Sequence, residues 1–155
     1  MIEGRVALIE NLECFLKAEA IFTDVSWVLN SAGRISDRLI ACLKRSRLIA
    51  SPLTHFPDYD PVGLSDYLRL RAALGDDVEL WLPPDLEHRF EVFGNRELIA
   101  KKPRNRENLE KLGGVDWPCA ASERVYRLIA ETGSGLEQES LWITQQLKAP
   151  DGTTC

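Results

Sequence analysis

Apolar positions in the first half of the chain fall into short runs separated by stretches with helical spacing. Val6 to Ile9 is one such run; it stops at Glu10-Asn11 and predicts a buried strand. Leu12, Phe15, Leu16 and Ala20 then recur at helical spacing, and Val25 to Leu29 is β-rich until it meets "NSAGR". Ile35, Leu39, Ile40, Cys42 and Leu43 suit an amphipathic helix. Leu48 to Phe56 predicts a third strand, with Pro52 at its entry. Leu64, Tyr67, Leu68, Leu70 and Leu74 predict a helix that carries Pro61 near its first turn. Val78 to Leu82 predicts a fourth strand, stopped by Pro83-Pro84.

Strand and helix thus alternate four times within the first 82 residues. Alternation with short connections predicts an α/β fold: a parallel four-stranded sheet flanked by helices, with right-handed crossovers. After Pro84 the pattern changes. "DLEHRFEVFG", "RELIAKK", "RENLEKLG", "SERVYRLIAETG" and "LEQESLWITQQL" all read as short helices punctuated by Gly or Pro. The expectation is one domain over residues 6–147, α/β across 6–82 and helical across 84–147, with 148–155 as a tail.

The 155 residues suit a single domain with a real core, and 45% hydrophobic with 28% charged residues place the chain among soluble globular proteins. No apolar run approaches a bilayer span and "MIEGRVALIENL" lacks the form of a secretory signal, so a cytoplasmic protein with no membrane partner is expected. Ile2-Glu3-Gly4-Arg5 matches a processing-protease recognition sequence, so residues 1–5 read as a cloning remnant or a chance match, without functional weight. Cys14, Cys42, Cys119 and Cys155 form no CxxC pair, which argues against a cysteine-built zinc site and fits a reducing compartment. A net charge of −5 argues against a surface that coats nucleic acid wholesale, yet leaves room for a local basic groove.

Ligands of open parallel sheets gather beyond the carboxyl ends of the strands. Glu10 ends the first predicted strand; Asn30, Ser31 and Gly33 follow the second; Asp58 and Asp60 follow the third. On an extended segment, residues i and i+2 point to one side, so Asp58 and Asp60 would aim together with Tyr59 turned away. Two such carboxylates repel unless a cation neutralises them, and a hard divalent ion such as Mg²⁺ (or Mn²⁺) takes oxygen ligands of this kind. Glu10 would complete the cluster as a ligand or a general base. A structural reading stands beside this one. Asp before Pro and Gly is common in turns, Asp60 could cap the helix from 61, and Glu10 could cap the helix from Leu12.

"ALIENLECF" followed by "THFPDYDPVGL" resembles the Toprim domain, a metal-binding α/β fold of topoisomerases, primases and some nucleases. Its pattern is a glutamate after the first strand and a DxD after a later one, which Glu10, Asp58 and Asp60 match. "IENLECF", "DYDPVGL" and the later "GLEQESLW" (Gly135 to Trp142) are similar to the Toprim nuclease components of Wadjet plasmid-defence systems, related to the DNA-cleaving component of topoisomerase VI and to the meiotic double-strand-break transesterase. The resemblance implies a Toprim-like fold from about Val6 to Leu147, with Glu10, Asp58 and Asp60 as the catalytic and metal-binding residues. It further implies Mg²⁺ or Mn²⁺ as cofactor, DNA as partner, and nuclease-type phosphodiester hydrolysis within an anti-plasmid or topoisomerase-like assembly. That assembly would add an upstream winged-helix-type domain, other defence-system proteins, or a second copy in a homodimer.

The chain departs from the pattern in two respects. Pro57 stands where relatives often have Gly, removing a backbone N–H. Relatives of the topoisomerase branch carry the attacking tyrosine in an upstream domain, whereas Tyr59, Tyr67 and Tyr126 lie in no matching motif; the expectation is hydrolysis without a covalent tyrosyl–DNA step. The alternative is a non-catalytic Toprim-like interaction domain with a vestigial acidic triad.

Other residues add candidate contacts. "NSAGRIS", with Arg34, sits between a strand and a helix and could hold phosphate, although it lacks the spacing and lysine of an NTPase loop. Lys44, Arg45 and Arg47 form one basic cluster. Lys101, Lys102, Arg104 and Arg106 form another, the better DNA candidate because Pro103 suggests a loop there. Glu137 and Glu139, two apart on a predicted helix, would not share a face. His55 lies beside the acidic turn and could bond Asp58, but reads more simply, like His88, as structural. The tryptophans read as core anchors.

Overall fold

The computed structural model describes residues 4–46 and 52–140. Four strands, β1 (Val6–Ile9), β2 (Trp27–Asn30), β3 (Leu53–Phe56) and β4 (Val78–Leu80), form one all-parallel sheet in the order β2-β1-β3-β4. Between β1 and β2 run α1 (Leu12–Leu16) and α2 (Ala18–Ile21), two short helices where the spacing predicted one, because the chain turns at Lys17. Next come α3 (Asp37–Ser46) between β2 and β3, and α4 (Pro61–Leu74) between β3 and β4. The second half is helical: α5 (Leu86–Phe93), α6 (Glu97–Ala100), α7 (Pro103–Leu112) and α8 (Ala120–Thr132). The α/β architecture read from the sequence is therefore the one observed. Residues 47–51, where the predicted third strand began, and 141–155, including Trp142, lie outside the described residues.

Every residue of β1 and β3 is buried, as expected for strands covered on both faces. The chain moves outward from β1 to β2 and then returns past β1 to β3, so the winding direction reverses at β1. Right-handed crossovers then place α1–α2 on one face and α3 and α4 on the other. Packing agrees. Phe22, just after α2, meets Phe56 and Trp81 edge-on, whereas Tyr67 of α4 stacks on His55, the neighbour of Phe56 on β3. The reversal also opens a crevice between the carboxyl ends of β1 and β3. Among the described residues, no helix is long and apolar enough to cross a membrane.

Candidate metal and phosphate site at the β1/β3 switch point

Glu10 follows β1 directly. The loop after β2 folds back on it: Ser31 N–H donates to the Ile9 carbonyl at 2.9 Å and Gly33 N–H to the Glu10 carbonyl at 3.1 Å. Asn11, not Glu10, caps α1; its Oδ1 accepts from the N–H groups of Glu13 (2.8 Å) and Cys14 (3.1 Å). The capping role considered for Glu10 is therefore filled by its neighbour, and the Glu10 carboxylate has no hydrogen-bond partner among the described residues.

Asp58-Tyr59-Asp60 follows β3 as extended chain. Tyr59 is fully buried and its hydroxyl donates to the Trp81 carbonyl at 2.6 Å, leaving both aspartates on the opposite side. Asp60 caps α4 through Oδ1, which accepts from Gly63 N–H at 2.8 Å, while its Oδ2 accepts from the Asn105 amide at 2.9 Å. The capping and cleft readings of Asp60 thus coexist. Asp58 Oδ1 accepts from Gln138 N–H at 2.9 Å, and its other oxygen has no partner among the described residues. Gly63 is needed here by contact rather than by dihedral: a Cβ at that position would lie 2.0 Å from the Asp58 carbonyl oxygen.

Glu10, Asp58 and Asp60 line one cleft of about 620 Å³, together with Lys101, Lys102, Arg104 and Asn105. The basic segment enters as a helix start rather than the expected loop. Pro103 occupies the first position of α7, where its missing N–H costs nothing, so Arg104 and Arg106 stand in the first turn. Arg106 does not line the cleft. Lys101 pairs with Glu97 at 2.6 Å; Lys102 and Arg104 have no acidic partner among the described residues. Lys44 and Arg45 close α3 in its last turn, away from this cleft, and Arg47 lies outside the described residues.

Burial pushes the Glu10 carboxyl up to about 7, helped by the charges of Asp58, Asp66 and Asp60 and opposed by Arg34. Burial likewise raises Asp58 to about 6, against the hydrogen bond from Gln138 and with Asp60, Glu139 and Glu137 adding to the rise. Two neighbouring carboxyls with raised values and free oxygens are chemically suited to a hard divalent ion. Mg²⁺ commonly takes only one or two protein carboxylates. As the side chains stand, no group of three or more His, Cys, Asp or Glu among the described residues is gathered tightly enough to hold a metal ion.

Three residues not among the sequence-based candidates organise the site. Gln138 is fully buried: it donates to Asp58 through its N–H and to the Phe56 carbonyl through its amide, and accepts from Asn11 N–H at 3.1 Å. In the "LEQE" segment it is thus the glutamine, more than either glutamate, that builds the site. Glu137 is exposed and Glu139 accepts from the Asn11 amide, while the segment pairs as extended chain, Leu136 against Tyr59, before a helical turn begins at Gln138. Asn105 accepts from Val62 N–H and donates to Asp60 and the Leu98 carbonyl, tying α7 to the acidic turn. Asp66 of α4 accepts from Arg34 and from the Ile35 N–H, which ties the loop after β2 to α4. No spacing marks any of the three, since each acts across the fold.

Other side chains differ from what their neighbours in sequence suggest. His55 does not reach Asp58: it is fully buried, neither ring nitrogen has a partner, and burial lowers its pKa to about 3. Trp27 is half exposed on the edge strand β2, whereas Trp81 and Trp117 pack on aromatic neighbours. Cys14, Cys42 and Cys119 are free thiols.

No protein-family model matches the chain, and no curated protein matches it. Among solved structures it is similar to the crystal structure of SsGBP in complex with GDP, at 15% identity and a TM-score of 0.40. The match covers 99% of this chain and 48% of that one, so the chain spans about half the length of that protein; a likeness at this level carries no argument about ligand or activity.

Proposed function

We propose that this chain is a Toprim-like module that acts on nucleic-acid phosphodiesters with a divalent metal, as part of a larger DNA-processing assembly of the plasmid-defence or topoisomerase type. The observation that carries the reading is one cleft lined by both kinds of charge, Glu10, Asp58 and Asp60 together with Lys101, Lys102 and Arg104. Acidic residues alone would repel a phosphate and basic residues alone would bind without hydrolysing it. Glu10 and Asp58, with oxygens free of protein partners, are the residues that would hold Mg²⁺ or Mn²⁺. A divalent ion supplies charge neutralisation at phosphate and lowers the pKa of water. Asp60, with both oxygens engaged by Gly63 and Asn105, keeps the acidic turn in place and adds negative charge beside the ion. Lys102 and Arg104 orient the phosphate backbone. The raised pKa of Glu10 belongs to the metal-free protein; a bound cation would favour its carboxylate form and draw the proton off.

A titration of Mg²⁺ or Mn²⁺ followed by thermal unfolding tests the metal half of this reading. A ligand that binds only the folded state must stabilise it. The wild type is expected to gain several degrees at millimolar metal at pH 8 and less at pH 6, where protons compete for Glu10 and Asp58; Asp58→Asn is expected to lose most of the gain. Absence of any gain in the wild type removes the metal site, and with it the hydrolytic reading. A plasmid-nicking assay with the natural partner domains present then reads the activity.

A further inference from the structure

A second cleft, of about 500 Å³, opens beside the Glu10 loop and is lined by Arg34, Ile35, Ser36, Asp37 and Arg69. Two of these residues, Arg34 and Arg69, are bound to Asp66 of α4, a carboxylate with a side chain fully shielded from solvent. Asp66 receives Arg34 Nε at 3.3 Å, Arg69 Nη1 at 2.6 Å and the Ile35 N–H at 3.2 Å. Arg69 is engaged through both Nη groups: it also donates to the Ile35 carbonyl at 3.0 Å and pairs with Asp37, which answers the acidic charge that Asp37 brings to the cleft wall. Arg34 is held by one edge only. Its Nε faces Asp66, its side chain is 41% exposed, and its two Nη groups have no partner among the described residues. The loop that delivers it takes two successive left-handed residues, Ala32 (φ 56°) and Gly33 (φ 97°), a conformation costly for alanine. Arg34 is close enough to Glu10 for its charge to oppose the rise in that carboxyl.

We propose that Arg34, oriented by Asp66 as a positioning residue, forms a second phosphate subsite on the far flank of Glu10 from Lys102 and Arg104, so that a nucleic-acid backbone is gripped on both sides of the acidic residues. This rests on the reading of the main cleft and adds to it. A guanidinium anchored through Nε presents its remaining N–H groups as a planar fork, the geometry that recognises phosphate oxygens two at a time. Ser36 and the positive end of α3, which starts at Asp37, line the same cleft and favour an anion there. Asp66 removes the freedom of a long side chain, so the fork is in place before the ligand arrives.

The probe is inorganic phosphate, added to the full chain in chelating buffer at constant ionic strength, with chloride as the control anion. The readouts are the Arg34 Nε–H resonance and the thermal midpoint. Phosphate, and not chloride, is expected to shift the Arg34 signal saturably and raise the midpoint. Arg34→Gln, at a half-exposed position, is expected to fold normally and weaken phosphate about tenfold, as for loss of hydrogen bonds to a charged group. Asp66→Asn, if folded, is expected to weaken it several-fold with Arg34 still present, an effect that a merely structural role would not produce. A flat Arg34 signal, or an undiminished response in Arg34→Gln, overturns the subsite. A parallel salt titration with a short DNA duplex separates this claim from the one it rests on. Arg34→Gln is expected to reduce the salt slope by about 0.9, one phosphate contact. Duplex binding with an unchanged slope discards the subsite and leaves the main cleft standing. Phosphate binding at Arg34 without any duplex binding keeps the subsite and discards nucleic acid as the ligand.

Discussion

A fully buried carboxylate and a half-buried pair lie within one fold and are treated in opposite ways. Asp66 is shielded from solvent, and the protein supplies its partners: two guanidiniums and a backbone N–H. Glu10 and Asp58 are half withdrawn from water, and no cationic side chain bonds either of them among the described residues; burial and the charges of neighbouring carboxylates leave their carboxyls at about 7 and about 6. A chain that encloses charge and answers it in one place, and encloses charge without answering it in the other, has left room for a ligand at the second. That contrast is the physical core of the proposed function. The first cluster fixes geometry, and the second is left to be completed from outside.

The largest effect is expected on the self-sufficient side. Asp66→Ala leaves two arginines and the Ile35 N–H without their acceptor, and breaking a buried pair in this way costs about 3 kcal/mol. Urea unfolding at pH 7 measures it; a loss under about 1 kcal/mol, the range of exposed pairs, breaks the contrast. Gly63→Ala comes next. Its Cβ would collide with the Asp58 carbonyl, so overpacking of about 1–3 kcal/mol is expected, together with loss of the metal-linked rise in melting temperature as the acidic turn shifts. A full loss of stability with intact metal response would show that Asp58 is not held by this contact.

The pH profile of the metal-free protein sharpens the comparison further. Glu10 and Asp58 hold their protons more tightly folded than at their ordinary values of 4.5 and 3.8, so they favour folding at low pH and lose that contribution as pH climbs through 6 to 7. His55 works in the other direction. Its folded value of about 3 lies below the ordinary 6.5, so its contribution is complete above 6.5 and lost as pH falls toward 3. Glu10→Gln combined with Asp58→Asn is expected to flatten the decline between pH 4.5 and 7. His55→Phe keeps the stack on Tyr67, changes stability at pH 7 by no more than about 1.5 kcal/mol, and flattens the acid limb. Thermal midpoints across pH 3–8 in chelator measure both. An unaltered slope in the double variant removes the claim that the cleft encloses unanswered charge.

Much of this is legible in the chain itself. Runs such as Val6–Ile9 and the spacing from Leu64 to Leu74 report one-dimensional periodicity, and the strands and helices they predict are present. The order of strand ends places Glu10 and the Asp58–Asp60 pair at one edge of the sheet, because a parallel sheet leaves its ligands little choice of location. Pro103 suggests a loop and starts a helix for a local reason: proline breaks a helix interior and opens a helix equally well, and only the residues that follow decide which. Gln138 is hidden for a different reason. The segment "GLEQESLW" stands out, but nothing in it favours the glutamine over the flanking glutamates until the extended pairing of Leu136 with Tyr59 turns it inward. The sequence by itself determined the alternation of elements, the acidic residues at the strand ends and the turn that carries them. Which carboxylates are answered by the protein's own cations, and which are not, was decided only when α3, α4, α7 and the segment around Gln138 closed around the β1/β3 crevice. Partners such as Arg34 and Asp66, 32 residues apart, or Asn105 and Asp60, 45 apart, meet through packing, and packing leaves no period in a sequence.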